Sequence, residues 1–487
     1  MTLRAPRPLA RAFALAALAV PFAVSAQQPQ VDSVAIRRFV TSAIRADRVP
    51  GLAIAVVSRD GVLYAEGFGS TGRDGDRITP DTPFLLGSMS KSITALAVMQ
   101  LVDAGQVELD APVRRYLADF ALRGNGSDQI TVRQLLAHTS GIPTSAPRAT
   151  GAHRTLADHV TALRQVSLAR APGEAHEYSS PNYQTLGRLV EVVSGQEFGA
   201  YVAQHVFAPL GMRHSFSDSA GAYSAGLTHG HQMVFGWSMQ RDLAFEADRL
   251  PTAALVSSAG DLGRFLRAEL RGGELDGVRI ASVDAMKQMH QPQVSSPGFA
   301  YAMGWRVSAL AGETAVHHGG ILPNYRGKMV MLPTLGLGVV VLTNVSSVLG
   351  TPTSHRVADG VAAILAGADP GQPRWSLSWL LSAVALGMLA ITTLQLRGLL
   401  RARRTPRGLP AALKEFAFAT ALLVGMPLWL GFGWAEILRQ MPDVGAWMLL
   451  SVTLGTATGV LHFLNAPRSD HRALPKSTAA SAFTGNG

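Results

Sequence analysis

Phe84-Leu-Leu-Gly-Ser-Met-Ser-Lys91 is the stretch that decides the fold, and the apolar segment Ile93-Thr-Ala-Leu-Ala-Val-Met-Gln-Leu101 follows it closely. The apolar segment has a helical pattern, which would bury Ser88 at the root of a core helix. Ser88 and Lys91 are three positions apart, so a helix places both side chains on one face. The lysine can then take the proton that a free serine does not give up at neutral pH. A solvated helix face with this spacing by chance is the alternative, and the buried setting favours a nucleophile.

A second motif, Tyr178-Ser-Ser180, lies between the turn signal Ala171-Pro-Gly-Glu174 and a helical run that contains Tyr183. The phenol of Tyr178 can act as a general base or acid if nearby cations lower its pKa, and Lys91 would be such a cation. A tyrosine that only packs a loop is the alternative for an isolated residue.

The third motif is His317-His-Gly-Gly320, which we expect to open an edge strand that continues through Lys328-Met-Val-Met-Leu332 and turns at Pro333. Glycines at this place would let a bound substrate lie close against the strand backbone. A partly buried histidine pair without function is the alternative, and the glycines and the strand that follow argue against it.

The order of the expected elements indicates an α+β fold. Gly51–Ser58 and Val62–Phe68 form a predicted hairpin, and late strands around Trp305, Lys328 and Val339 would join it in one antiparallel sheet. Four helices in the middle of the chain are expected to start at Ser88, Thr131, Ser180 and Asp261. We therefore expect an antiparallel sheet flanked by helices, an all-helical subdomain between the first and last strands, and a cleft between the sheet edge and that subdomain.

These three motifs resemble those of the class C β-lactamase-like serine hydrolases, penicillin-recognising enzymes that include esterases, D-amino-acid peptidases and carboxypeptidases. The resemblance extends over about residues 33 to 365 and is carried by four further stretches, which are Leu135–Pro143, Pro209–Met212, Ala254–Leu262 and Tyr301–Trp305. It therefore covers roughly seven tenths of the chain.

The resemblance implies a role for each motif. Ser88 would be the nucleophile, Lys91 its base and Tyr178 a second acid or base. The backbone amides of Ser88 and Ile321 would form the oxyanion hole. The other substrate contacts would come from Ser180, Gly319, Gly320, Ile321 and Asn324.

The functional histidine follows from the same resemblance. Family members carry Lys-Thr-Gly or His-x-Gly at this strand, and lining up the residues to Tyr325 and Pro333 places His318, not His317, at the cationic position. His318 would hold the carboxylate or carbonyl of the substrate and tune Tyr178.

The distribution of charge does not support a nucleic-acid partner. The chain has a net charge of +10, but residues 27–370 carry 29 basic and 29 acidic side chains. The excess lies in residues 1–26 and 371–487, which have the character of targeting and membrane segments. In residues 1–26, three arginines precede the apolar run Ala12–Val24 and the small-residue site Val24-Ser-Ala26, which predicts a signal peptide. An uncleaved anchor helix is the alternative.

Three uncharged runs near the C-terminus are long enough to cross a membrane, Trp375–Leu396, Phe416–Ala435 and Val444–Leu464. The five arginines between Arg397 and Arg407 should stay cytoplasmic, which places the hydrolase of residues 27–370 on the periplasmic or extracytoplasmic face of the inner membrane. A buried soluble helix bundle is the alternative.

The predicted reaction is acyl transfer through an acyl-enzyme on Ser88. The signal peptide and the three-helix tail resemble the prodrug-activating D-amino-acid peptidases, which implies an acyl-D-amino-acid or D-amino-acid peptide substrate. An esterase, a β-lactamase, a D-Ala-D-Ala carboxypeptidase and a catalytically silent penicillin-binding sensor stay open, as does the oligomeric state. We expect no cofactor and no metal, even at His229-Gly-His231. The expected partners are a small-molecule or peptide substrate and membrane lipid.

Overall fold

The computed structural model describes residues 1–2, 31–72, 76–124, 126–146, 154–347, 353–371, 376–405, 407–431 and 433–464. The predicted signal peptide lies outside these ranges, apart from its first two residues.

The described chain forms one large antiparallel sheet and three small ones. Its strands in chain order are β1 Gly51–Ser58, β2 Val62–Gly69, β3 Phe84–Leu85, β4 His231–Val234, β5 Trp237–Gln240, β6 Val256–Ser257, β7 Glu274–Leu275, β8 Val278–Arg279, β9 Val294–Ser296, β10 Phe299–Tyr301, β11 Arg306–Leu310, β12 Glu313–Ile321, β13 Arg326–Leu332, β14 Leu337–Thr343 and β15 Val345–Ser346. The large sheet has eight strands in the order β2-β1-β14-β13-β12-β11-β10-β9. The N-terminal hairpin and the late strands thus share one sheet, as the sequence predicts.

Ten helices precede the C-terminal part of the described chain. They are α1 Ser33–Asp47, α2 Ser90–Asp103, α3 Val132–Leu136, α4 Leu156–Ala162, α5 Ser180–Ser194, α6 Phe198–Val202, α7 Ser219–Ser224, α8 Ala259–Leu270, α9 Val283–His290 and α10 Thr353–Leu365. Helices α2 to α7 lie between the second and the last long strands of the sheet, which is the expected helical subdomain. The α+β prediction is confirmed.

Both faces of the large sheet are covered by helices, and the strands at its centre are apolar throughout. Every residue of β1 is buried. Because side chains alternate along a strand, Leu52 and Ile54 pack with α1 and α10, whereas Ala53 and Ala55 pack on the opposite face with the core that contains α2 and α8. The second face carries the site described below.

The strand of the histidine motif differs from the prediction. β12 is an internal strand between β11 and β13, and a turn at Leu322–Tyr325 separates it from β13. The motif therefore ends a strand instead of opening one. β11 pairs only with Glu313–His317, so the edge of His318–Ile321 on that side has no strand partner in the described sheet. The free edge needed for a substrate is thus produced by a short neighbour.

Five helices form the C-terminal part, α11 Leu377–Arg404, α12 Leu409–Thr420, α13 Met426–Leu430, α14 Trp434–Gln440 and α15 Pro442–Leu464. Three segments are long and apolar enough to cross a membrane, Ser378–Arg404, Leu409–Leu430 and Pro442–Leu464. The second differs from the predicted Phe416–Ala435, because Gly431 adopts a left-handed conformation and ends the helix. The short helix α14 lies between the second and third of these segments.

Candidate active site

Ser88 lies in a single tight helical turn, Gly87–Met89, that leads directly into α2. The Nζ atom of Lys91 lies 3.3 Å from the Oγ atom of Ser88 and donates a second hydrogen bond of 3.0 Å to the carbonyl of Thr252. Lys91 is fully buried. The structure therefore brings together the serine and the lysine that the spacing predicts. The hydrogen bond to Thr252 holds the amine in place.

Burial controls the charge of Lys91. Removal from water lowers the pKa of Lys91 well below 10.5, and the nearby guanidinium groups of Arg249 and Arg306 lower the pKa further. A neutral amine has a lone pair. With one N–H bonded to Thr252, Lys91 can accept the hydroxyl proton of Ser88.

Tyr178 lies on the other side of Lys91, whose Nζ atom is 5.0 Å from the centre of the phenol ring. Burial raises the pKa of Tyr178 to about 12, although a hydrogen bond with Ser88 and the charge of Arg306 act in the opposite direction. The expectation that nearby cations would lower this pKa is therefore not met. In the resting site Tyr178 is a neutral phenol, which fits a general acid better than a base.

His138 packs against Tyr178 and binds the backbone next to it. Its ring centre lies 4.3 Å from that of Tyr178, and its Nδ1 atom accepts the backbone N–H of Ser179 at 3.1 Å. His138 has a positive φ of 58°, which is uncommon outside glycine. The strained turn thus holds the segment of Tyr178 beside Lys91.

His318, not His317, faces the site, as the resemblance implies. Its ring centre is 6.3 Å from that of Tyr178. His317 points to the other face of the sheet, where its Nε2 atom lies 3.1 Å from the hydroxyl of Ser308. Alternation along β12 separates the two rings.

The surroundings of His318 disfavour the positive charge that the resemblance implies for it. Burial and the charge of Arg306 lower the pKa of His318 well below 6.5, so the ring is neutral. Its Nδ1 atom donates to the carbonyl of Gly319 at 2.8 Å, and its Nε2 atom then accepts from the hydroxyl of Tyr301 at 3.2 Å.

Arg306 supplies the positive charge of the cleft instead. Its guanidinium carbon lies 5.7 Å from the ring centre of Tyr178 and 4.5 Å from that of Phe299. Its buried Nε atom has no hydrogen-bond partner among the described residues. Sequence reasoning missed Arg306, although it directly follows the Tyr301–Trp305 stretch. It is far from Tyr178 in the chain, and only the fold brings the two side chains together.

The turn of Ser88 approaches the end of β12 closely, backbone to backbone. A Cβ atom on Gly320 would lie 1.9 Å from the carbonyl oxygen of Leu86, and one on Gly87 would lie 2.6 Å from the backbone nitrogen of Ile321. Only glycine fits these positions. The backbone just before Ser88 thus lies against the end of β12. An oxyanion hole formed by the amides of Ser88 and Ile321 stays a prediction.

Gly319 and Ser180 are two further residues that the resemblance places in contact with the substrate. A Cβ atom on Gly319 would point at His355 on the far face of the sheet, so Gly319 can contribute backbone only. Ser180 is half-buried at the start of α5. Its contact with a substrate stays a prediction.

Asn324 is buried in the wall of a cavity next to the nucleophile turn. Its amide Nδ2 donates to the carbonyl of Arg241 at 2.8 Å, and its Oδ1 atom has no partner among the described residues. The cavity has a volume of about 220 Å³ and is also lined by Leu85, Phe245, Arg249, Leu322 and Arg439. Nearby, His229 is paired with Asp242 at 2.6 Å. No cluster of three metal-ligating side chains exists among the described residues.

Comparison with known proteins decides the family. The beta-lactamase family model matches residues 36–363, which is more than half of the chain and contains Ser88, Lys91, Tyr178 and His318. The chain belongs to the beta-lactamase family. Members of this family are generally serine hydrolases that act on acyl substrates.

Related proteins agree with this assignment. The chain is 28% identical over 329 residues to "Protein flp" of Staphylococcus aureus (strain MW2), a match that covers 66% of this chain and 64% of that protein. It is 31% identical over 311 residues to "Penicillin-binding protein 4" of Amycolatopsis lactamdurans, covering 61% of this chain and 81% of that protein. The chain thus spans slightly less than two thirds of the length of the first of these relatives.

A solved structure has the same fold. The octameric penicillin-binding protein homologue from Pyrococcus abyssi superposes with a TM-score of 0.63 at 27% sequence identity, covering 70% of this chain and 78% of that one. The penicillin-binding fold expected from the motifs is therefore confirmed for the greater part of the chain.

Proposed function

We propose that this protein is a membrane-anchored serine hydrolase that works through an acyl-enzyme on Ser88, with its catalytic domain outside the cytoplasm. The observation that carries the proposal is the contact of 3.3 Å between the hydroxyl of Ser88 and the buried amine of Lys91. A lysine that is neutral in the resting site can act as a general base at physiological pH.

Acylation follows from the geometry. Ser88 Oγ attacks the carbonyl carbon of the substrate while its proton passes to Lys91 Nζ. The negative charge that develops on the carbonyl oxygen is bound by the backbone N–H groups of Ser88 and Ile321. The bond to the leaving group breaks, and the leaving group takes a proton from the phenol of Tyr178, which is refilled from the Lys91 ammonium.

Deacylation reverses the roles. A water molecule attacks the acyl-enzyme, gives its proton to Lys91 by way of Tyr178, and the proton returns to Ser88 as the acid leaves. The permanent charge of Arg306 disfavours the ammonium form of Lys91 in the resting site. Arg306 thereby favours the neutral amine that the next acylation requires.

The preferred substrate class is an acyl-D-amino-acid amide or a D-amino-acid peptide. The free edge of His318–Ile321 allows an extended acyl-peptide to lie along β12. A residue of the opposite hand would point its side chain into this strand. The unpartnered Oδ1 of Asn324 and the guanidinium of Arg249 line the adjacent cavity and suit a polar side chain.

The membrane anchor rests on three apolar helices and on the asymmetry of the arginines around them. The first span ends in Arg401, Arg403 and Arg404, and positive residues remain on the cytoplasmic side. The span therefore enters from outside, together with the domain that precedes it.

Hydrolysis of a matched pair of substrates tests the proposal. A fatty-acyl-D-asparaginyl amide should be cleaved at least ~100-fold faster than its L enantiomer, which corresponds to about 2.7 kcal/mol of transition-state discrimination. The full-length Ser88→Ala protein is the control for contaminating hydrolases. Equal rates on both enantiomers, or turnover of simple aryl esters alone, would favour the esterase. Covalent labelling of Ser88 by a penicillin without turnover of any substrate would favour the sensor.

A further inference from the structure

A hairpin outside the catalytic site displays three large apolar side chains. It is formed by β4 and β5, and Trp237, Met239 and Phe235 are exposed to 64%, 55% and 45%. Trp237 and Met239 are two positions apart in β5 and therefore project from the same face. In a soluble setting such a cluster loses the stabilisation that burial of its surface would provide.

The backbone of the turn that joins β4 to β5 is strained. Phe235 has a φ of 51° and Gly236 a φ of 81°, so both residues of the two-residue turn are left-handed. Glycine, asparagine and aspartate normally occupy such turns. A phenylalanine in this conformation is an outlier, and strain of this kind commonly marks a functional position.

The tip of the hairpin packs against the beginnings of two apolar spans. A Cβ atom on Gly236 would lie 2.7 Å from the hydroxyl of Ser382 and 3.2 Å from the carbonyl of Ser378, in the first turns of α11. The backbone N–H of Phe235 donates to Asp443 at 2.9 Å, at the start of α15. The turn is thus in contact with the N-terminal ends of both α11 and α15.

Helix geometry gives the depth of this contact. Residues 378–382 rise by about 6 Å along α11. The whole span of 27 residues is about 40 Å long, whereas the hydrocarbon core of a bilayer is about 30 Å thick. The first turns of α11 therefore lie at the boundary between headgroups and acyl chains. The hairpin tip lies at the same level.

An arginine packs on the hairpin at this level, in the same turn that Asp443 binds. The guanidinium carbon of Arg48 lies 4.4 Å above the ring of Trp237, and its Nη1 atom donates to the carbonyl of Gly236 at 3.3 Å. Arg45 is exposed on the last turn of the same helix, α1. Indole rings favour the membrane interface, and arginines next to them attract anionic headgroups.

We infer that Phe235, Trp237 and Met239 insert into the outer leaflet of the bilayer, at the boundary between headgroups and acyl chains. This inference rests on the membrane anchoring proposed above. The insertion sets the height of the active site, because the chain that leaves β5 provides the carbonyl of Arg241 that binds Asn324 in the cavity wall. An acyl chain that stays in the leaflet can then reach the cavity.

Site-specific fluorescence tests the insertion, and the chain suits it because it contains no cysteine. Trp237→Cys and Met239→Cys are made in the full-length protein, labelled with an NBD dye and reconstituted in phosphatidylethanolamine–phosphatidylglycerol vesicles. We expect blue-shifted emission, strong quenching by lipids with a nitroxide at carbon 5 of the acyl chain, and weak quenching by aqueous iodide. Reaction of Ser88 with a fluorescent phosphonate checks that each labelled protein is folded.

Two further positions separate this inference from the anchoring proposal. Val278→Cys places the dye on another hairpin, β7–β8, at a side chain exposed to 41%, and it should be quenched by iodide instead of lipid. Leu389→Cys places the dye in the middle of α11 and should be quenched by nitroxides deep in the acyl region. Quenching at position 389 without quenching at 237 and 239 overturns the insertion alone. No lipid quenching at any position overturns the anchoring and the insertion together.

The same data distinguish the bilayer from a second copy of the chain as the partner that covers the hairpin. Blue-shifted emission at position 237 with neither lipid nor iodide quenching would mean that a second copy of the chain covers the hairpin. That outcome also overturns the insertion.

Discussion

In the sheet that carries the active site, every residue of β1 is buried, whereas in the first apolar span of the C-terminal part only 11% of the most apolar window is buried. Leucine, valine and alanine dominate both regions. Their side chains pack against helices on both faces of the sheet, but point outward from α11, where Leu386, Leu389 and Leu394 are each exposed by more than 60%. Apolar composition therefore says that a segment avoids water, and only packing says what covers it.

The third span, α15, is more buried than the other two. In α15, 39% of the most apolar window is buried, compared with 17% in the second span. Its buried positions form one stripe, which consists of Gly445, Met448, Ser451, Gly455, Thr458, Gly459 and His462. Small residues at helical spacing let backbones approach closely. α15 is thus the helix against which the other two pack.

The largest effect is expected at the buried pair of the hydrolase domain. Ser88→Ala or Lys91→Ala should each lower kcat by about 10³-fold or more, and the double variant should be little worse, because the two residues act as a unit. Ser90→Ala, which removes the neighbouring buried hydroxyl, is the matched control and should keep most of the activity. Hydrolysis by purified Ser88→Ala protein at the wild-type rate would exclude Ser88 as the nucleophile.

A fusion series tests the other half of the comparison. A reporter that is active only outside the cytoplasm should work when fused after Pro370 and should be silent when fused after Arg404, because the arginines at the end of α11 stay inside. The activity of each fusion is measured in whole cells against its expression level. The reverse pattern would place the catalytic domain in the cytoplasm.

A smaller effect is expected from the charge beside the buried base. Catalysis needs neutral Lys91, so kcat/KM is full above its pKa and falls as the pH drops through that pKa. Arg306→Gln removes a positive charge that lowers the pKa of Lys91. The acidic limb of the kcat/KM profile should therefore move to higher pH, with a several-fold loss of activity on that limb.

Arg306→Lys keeps the charge and should leave the limb near its wild-type position. An equal drop of kcat/KM at every pH in Arg306→Gln would instead indicate that the arginine only shapes the cleft.

The smallest effect is expected within the C-terminal helices. A Cβ atom on Gly459 would lie 2.8 Å from the ring of Phe416 in α12, whereas one on Gly387 in α11 meets nothing within 4 Å. Gly459→Leu should lower the stability by about 1–3 kcal/mol through overpacking, seen as a lower Tm in detergent. Gly387→Leu should leave the Tm unchanged, and equal Tm values for both variants would contradict packing of α12 on α15.

Local sequence was sufficient for part of the site. Ser88 and Lys91 are neighbours on one helical face whatever the rest of the chain does, and their contact follows from the spacing. The rest of the site is brought together by distant elements. Arg306 and Tyr178 are in contact although more than a hundred residues separate them in the chain, and no local pattern of residues encodes such a contact.

The amino-acid sequence by itself determined the nucleophile motif, the alternation that separates His317 from His318, and the presence of three apolar spans, because each depends on residues close together in the chain. Only the tertiary structure decided the pKa values. Burial lowers the pKa of Lys91 and of His318 and raises the pKa of Tyr178 to about 12. A pKa depends on everything that surrounds a group in space, and that surrounding does not exist until the fold has formed.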